Sequence, residues 1–391
     1  MSSILAIGLI MLAGVASGRA AVNFGVSSAV GYLFAGLAVG QVLPGVMSAL
    51  TPLGMGLASD IGLALIAFVV GGELESERVR TLPRGVMRIA IIQAVTCVVL
   101  VTGVTVLLGR PLELGLVLGS IAAATAPAST IMIVRRTGAR GPLTSTLLSV
   151  VAIDDVVCIV IYAIAAAGAR AIPDWTISQS AAGVVGVFLW ELLGAILVGA
   201  VIGIALGYFV RCARGGDELV VITVGAILLT AGIAGRMHAS PLVSCLVLGA
   251  TISNLVVGSR KLFASVDSFS PPIYVLVFSL AGVSFSFGEL RSGVILFAAY
   301  AIMRAAGKIV GAGFAAALSG ADSSVSRFIG MSLLPQAGLA AGLVVAAGVA
   351  LPDYRALLTS IVLPGVFLFE LVGLRLVERC LVQAGEAKAG R

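Results

Sequence analysis

The chain is expected to fold as an all-α polytopic membrane protein of about thirteen transmembrane helices, built as two repeats of inverted topology. Three observations lead there. Apolar runs long enough to cross a bilayer recur from end to end; 60 % of residues are hydrophobic and 11 % charged, against roughly 25 % charged in a soluble domain. Basic residues gather between those runs, rich in one interval and sparse in the next. Prolines and ionisable residues recur at matching places in the two halves.

In chain order the spans are expected at about 3–17, 24–44, 58–73, 85–108, 112–134, 143–168, 181–209, 218–235, 240–258, 268–288, 293–318, 325–350 and 356–376. The first lacks a positive n-region, because its first basic residue is Arg19, so it reads as a membrane segment and not a signal peptide. With the N-terminus outside, the cytoplasmic loops hold Arg19, Arg78, Arg80, Arg84, Arg135, Arg136, Arg140, Arg211, Arg214, Arg260, Lys261 and Arg327. The C-terminal tail, residues 377–391, follows Arg375 and adds Arg379, Lys388 and Arg391. The outer loops hold only Arg110, Arg170, Arg236, Arg291 and Arg355. This bias places the N-terminus outside and the C-terminus in the cytoplasm, and it accounts for the net charge of +6 without a nucleic-acid partner. Cys97, Cys158, Cys212, Cys245 and Cys380 form no CxxC or Cys/His cluster and read as packing residues.

The sixth span carries Asp154 and Asp155 side by side near its midpoint. Each aspartate at the centre of a spanning helix costs about 2.5 to 3.5 kcal/mol on insertion scales, so something must offset the pair. A cation, a proton or a buried base would do so. The eleventh span holds Lys308 near its middle and Arg304 one turn earlier on the same face. Arg88, about one turn into the fourth span, can snorkel to the surface.

The repeat is visible across an offset of seven spans, an odd number, which inverts one copy relative to the other. The third span ends Phe68-Val69-Val70-Gly71-Gly72-Glu73-Leu74; the tenth runs from Tyr274 to Ser284 and on to Phe287-Gly288-Glu289-Leu290. The fourth and eleventh each carry an arginine, and the fifth and twelfth are interrupted by Pro127 and Pro335. Inverted repeats with broken helices in corresponding positions and midplane ionisable groups are the pattern of secondary transporters.

These residues resemble the bacterial monovalent cation:proton antiporters, the sodium/proton exchanger-like superfamily, over nearly the whole chain. The matching pieces are Gly31-Tyr32-Leu33-Phe34-Ala35-Gly36, Phe68 to Leu74, Thr125-Ala126-Pro127-Ala128, Ile153-Asp154-Asp155, Arg304 with Gly307-Lys308, and Leu334-Pro335-Gln336-Ala337-Gly338. The resemblance implies crossed discontinuous helices and a core domain (85–168 and 293–376) that moves against a dimerising panel domain (1–73 and 218–288), with 181–209 as a linker helix. It implies a homodimer in the bacterial inner membrane, and no cofactor apart from the transported Na⁺ and H⁺. Asp155 matches the acid that binds cation and proton in turn. Asp154 matches its neighbour, which in electrogenic members pairs with the lysine that Lys308 matches. Thr125, Ala126 and Pro127, with Pro335 and Gln336, match the unwound crossing. The chain departs from electroneutral members in having no acid between Thr125 and Pro127 and no Asn-Asp version of the pair.

The chemistry suits those residue types. Proton and Na⁺ compete for one negative charge, and a dehydrated Na⁺ needs hard oxygen ligands. Asp155, the Thr125 hydroxyl and carbonyls freed at Pro127 could supply them. Plainer readings stand beside these. The Asp154–Lys308 pair could simply fix helix register. Pro127 and Pro335 could be kinks, Arg304 could serve backbone carbonyls at a broken helix, and Glu73 and Glu289 could be solvated or capping residues. Glu370, deep in the last span, has no evident partner. An enzyme is not expected: neighbouring aspartates on one helix point about 100° apart and cannot share a proton as a protease dyad does. The rival functions are K⁺/H⁺ antiport, a gated cation channel, and an organic-anion symporter of similar fold.

Overall fold

The computed structural model describes residues 3–24, 26–42, 52–76, 84–171, 181–212, 215–256 and 258–387. Of the basic loop residues used to orient the chain, Arg78, Arg80, Arg214, Lys388 and Arg391 lie outside that set.

Among the described residues the regular structure is helical throughout. The first half comprises α1 (Ser3–Asn23), α2 (Ser28–Val42), α3 (Pro52–Gly72), α4 (Arg84–Leu107), α5 (Leu112–Ala122), α6 (Pro127–Thr137) and α7 (Pro142–Ala171). The second comprises α8 (Ala181–Cys212), α9 (Gly216–Arg236), α10 (Pro241–Leu255), α11 (Arg260–Phe269), α12 (Pro271–Val283), α13 (Phe287–Ser292), α14 (Val294–Leu318), α15 (Ser323–Ser332), α16 (Gly338–Ala350) and α17 (Arg355–Gln383). Among the described residues eight apolar segments are long enough to cross a bilayer, the α5–α6 pair counting as one of them. Together with the bent pair α11–α12 and the shorter apolar helices α2, α3, α10 and α16, they fall in the expected places.

Local sequence explains where the helices stop. Pro127 opens α6 at the position where a missing N–H costs nothing, and Gly138 (φ 62°) closes it in the left-handed conformation. There Gly138 N–H donates to the Arg135 carbonyl and Ala139 N–H to that of Val134. Ser240 caps α10 by accepting the Val243 N–H. The tenth span departs from expectation. Pro271 and Pro272 cannot continue α11, so the chain bends by 53° at Ser270 and α12 occupies only Pro271–Val283. Glu289 therefore belongs to the separate short helix α13, which Ser286 caps. The last helix also runs past the expected end at 376. Beyond it Glu386 folds back onto α7, its carboxylate accepting from Leu143 N–H (2.6 Å), Thr144 N–H (2.7 Å) and Thr144 Oγ1 (2.6 Å). Glu386 thus ties the described end of the chain to the start of α7.

Packing divides the helices. One apolar cluster is confined to α4, α6, α7, α14, α15 and α17 with the loops that join them, and a smaller one to α1, α2, α3 and α12. The largest cluster joins the two groups through α2, α3, α5, α12, α16 and α17. Outward faces carry exposed Leu, Ile, Val and Phe, such as Ile4, Leu107, Leu193 and Phe314, as a lipid-facing surface requires.

Candidate ion site at the two broken helices

Two spans are broken in mid-course. α5 ends at Ala122 and α6 begins at Pro127; α15 ends at Ser332 and α16 begins at Gly338. Each break frees carbonyls at one helix end and N–H groups at the next, with partial negative and positive charge respectively. The structure brings the breaks together and fills the space between them from α14, α7 and α4.

α14 reaches that position because two glycines let it lie directly on α4. A Cβ on Gly307 would stand 2.8 Å from Cys97 Cα, and one on Gly311 2.8 Å from Gln93 Cα, separations no side chain tolerates. Lys308 lies between those glycines and is fully buried. Its Nζ stands 3.1 Å from Asp154 Oδ2 and also donates to the Ala123 carbonyl at 2.5 Å. Asp154 is equally buried, and its Oδ1 accepts from Gln93 Nε2 on α4. Both oxygens of Asp154 are therefore engaged, and the expected Asp154–Lys308 pair is formed.

Arg304, one turn earlier, spans the breaks. Nη1 donates to the Leu334 carbonyl and Nη2 to the Ala124 carbonyl, each at 2.9 Å, and the guanidinium stacks 4.2 Å above the Phe369 ring. These contacts match the plainer reading of Arg304, in which it serves the carbonyls of a broken helix. Gln336 Nε2 reaches the Ile121 carbonyl and Tyr300 Oη, both at 3.2 Å. Pro335 sits in the second break against α17, where a Cβ on Gly373 would come within 2.7 Å of Pro335 N. Ala126 and Pro127 form the cap and first residue of α6.

Asp155 is treated differently. It points away from its neighbour, as adjacent helical residues must, and keeps partial exposure, while its Oδ1 is buried with no hydrogen-bond partner among the described residues. The Thr125 hydroxyl in the first break is likewise buried and unpartnered. The site thus holds one saturated carboxylate, one unsaturated carboxylate and one unclaimed hydroxyl beside the opposed ends of two broken helices.

A family model described as "Sodium/hydrogen exchanger, transmembrane" matches residues 7–376. The chain belongs to the sodium/hydrogen exchanger family. Its fold is that of a solved structure of the sodium proton antiporter MjNhaP1 from Methanocaldococcus jannaschii at pH 8, with a TM-score of 0.74 and 15 % identity over 98 % of each chain. An electron-microscopy map of the same antiporter matches with a TM-score of 0.67 and 16 % identity over the whole of both chains. No curated protein matches. At those identities the likeness is one of fold: all-α, multi-pass, with inverted repeats and crossed broken helices.

Gln93 and the partners of Glu370, both in this exchanger's interior, escaped sequence reasoning. Gln93, the amide that completes Asp154, is the lone strongly polar side chain in the middle of an otherwise apolar run, and that isolation is a signal. Glu370 does have partners: its Oε1 accepts from Ser129 Oγ and from Ser27 N–H. Neither serine is distinguishable from dozens of others in the sequence, so those contacts had to come from the structure.

Proposed function

We propose that this exchanger trades a monovalent cation, Na⁺ and also Li⁺, for protons by alternating access, with Asp155 as the site that cation and proton occupy in turn. The observation that carries the reading is the contrast within the acid pair. Asp154 is saturated by Lys308 and Gln93, whereas Asp155 Oδ1 is buried and bare. An unpaired buried carboxylate oxygen is costly unless a proton or cation satisfies it, and exchange requires that either can. The free Thr125 hydroxyl offers a hard oxygen of the kind Na⁺ takes. The cation is cargo, and the acids stand as a pair: among the described residues no cluster of three or more His, Cys, Asp and Glu could hold a resident metal.

The moving unit in this reading is a core of residues 85–168 and 293–376, working against a panel of 1–73 and 218–288 with 181–209 between them. The separate apolar clusters on the two sides support that division. So does a crevice between α3 and α12 on one side and α16 and α17 on the other, lined by Ser59, Ser284, Arg355 and Thr359. The protein works as a homodimer in the bacterial inner membrane, N-terminus outside and C-terminus cytoplasmic. The Asp154–Lys308 pair gives up and regains a proton in the cycle, so that two protons cross per cation and exchange is electrogenic.

The test is reconstitution into vesicles with an internal pH dye, adding Na⁺, Li⁺ or K⁺. Cation-dependent alkalinisation of acid-loaded vesicles should be lost in Asp155→Asn. Normal exchange in Asp155→Asn would refute the site. K⁺ as the sole effective cation would replace Na⁺, and proton-independent flux would point to a channel. In Lys308→Gln, exchange should persist without its response to membrane potential.

A further inference from the structure

Glu370 lies in the body of α17, fully buried and outside the acid pair just described. Its Oε1 accepts from the backbone N–H of Ser27 (3.2 Å) and from Ser129 Oγ, while Oε2 is buried without a hydrogen-bond partner among the described residues. It makes no ion pair among those residues. Arg304, stacked on the adjoining Phe369, is committed to two carbonyls.

Two helix N-termini hold this charge in place of a cation. Ser27 precedes α2 and caps it: its Oγ accepts from Ala29 N–H (3.3 Å) and its carbonyl from Val30 N–H (3.1 Å). In a capping box the residue three positions into the helix returns its carboxylate to the cap N–H. That residue here is Val30, which cannot, and Glu370 supplies the carboxylate from 343 residues away. At α6, whose cap Ala126 has no side-chain acceptor, the contact is made by the third helical residue, Ser129, through its hydroxyl. A carboxylate is favoured at both ends by their partial positive charge.

We propose that Glu370 is a positioning residue for exchange: a carboxylate strap that binds α2 to α6 and α17 and favours the arrangement described here over the alternate one. The inference rests on the alternating-access reading. In that reading α6 and α17 travel with the core and α2 stays with the panel, so the Ser129 bond survives the movement and the Ser27 bond breaks. Glu386 is the internal contrast. It also caps a helix in trans, but both of its oxygens are satisfied, and by residues of α7 alone.

A charge-assisted bond broken without replacement shifts a two-state balance by about tenfold or more, and the apparent affinity on each face follows the population open to that face. Cation KM is therefore to be measured in right-side-out and inside-out vesicles. Glu370→Ala should raise KM on one face and lower it on the other, the two moving apart by about tenfold. Glu370→Gln, whose amide oxygen still accepts the Ser27 N–H, should restore most of the wild-type balance. Should Glu370→Ala not fold, Glu370→Met, which keeps the side-chain volume and removes both acceptors, is to show the same divergence. Merely structural damage lowers the rate on both faces alike. KM values unchanged on both faces, or moving together, would overturn the strap even if Asp155→Asn is inactive. Exchange surviving in Asp155→Asn overturns the site assignment instead.

Discussion

The break at residues 123–126 and the break at 333–337 share a backbone plan and differ in what their side chains do. The first receives. Its carbonyls at Ile121, Ala123 and Ala124 accept from Gln336, Lys308 and Arg304. The second mostly gives: Gln336 reaches across to the first, and among the described residues only its Leu334 carbonyl accepts from a side chain, that of Arg304. The first keeps an unclaimed hydroxyl, Thr125 Oγ1; the second has a proline pressed against Gly373. Inverted repeats therefore supply opposed helix ends by symmetry, while selective chemistry needs the symmetry broken. In the proposed site one break is the wall and the other is the brace behind it.

Removing the brace should have the largest effect. Arg304→Met deletes both charged hydrogen bonds and leaves the Ala124 and Leu334 carbonyls bare, at a cost of about 3 kcal/mol or more. Thermal unfolding in detergent reads this as a lowered midpoint, and a midpoint equal to wild type would mean that Arg304 does not hold the breaks together. Crowding the brace comes next. In Gly373→Ala the new methyl would meet Pro335 N at 2.7 Å and Cα at 2.9 Å, for a loss of about 1–3 kcal/mol in the same assay. If the variant is as stable as wild type, the contact between α17 and the second break is looser than described.

The smallest stability change belongs to the wall and sharpens the contrast most. Thr125→Val keeps the shape and removes a hydroxyl with no hydrogen-bond partner among the described residues, so stability should stay within about 0.5 kcal/mol. The cation KM should nonetheless rise roughly fivefold, the equivalent of about 1 kcal/mol of lost coordination. An unchanged KM would remove Thr125 from the site.

Much of this was legible before any coordinates. Composition gave the class, recurring apolar runs gave the spans, and the expense of Asp154 and Asp155 in lipid demanded the base that Lys308 turned out to be. Pro127 and Pro335 marked the breaks because proline withholds a donor from the helix. What stayed hidden depends on contacts across the fold. Ser27 and Ser129 carry no sequence signal, so the partners of Glu370 could not be named. Gln93 carries no charge, so its cost in lipid does not demand a partner as a buried aspartate's does, although an amide can satisfy a buried carboxylate. The bend at Ser270 was hidden because α11, with Arg260, Lys261 and Asp267, reads as a polar loop ahead of the span expected at 268–288.

The distance along the chain between Asp154 and Lys308 also bears on how the protein is made. The two are 154 residues apart, and at about 5–20 residues per second the ribosome needs roughly 8–30 s to produce the base after the acid. For that interval α7 exists without its partner, and a helix with two ionised carboxylates at its centre is a poor guest in lipid. The carboxyls must therefore enter the bilayer carrying protons, or α7 must wait beside the insertion machinery until α14 emerges. Either way, the nascent chain is bound by the same requirement as the finished transporter: its acids are never left in lipid with nothing attached.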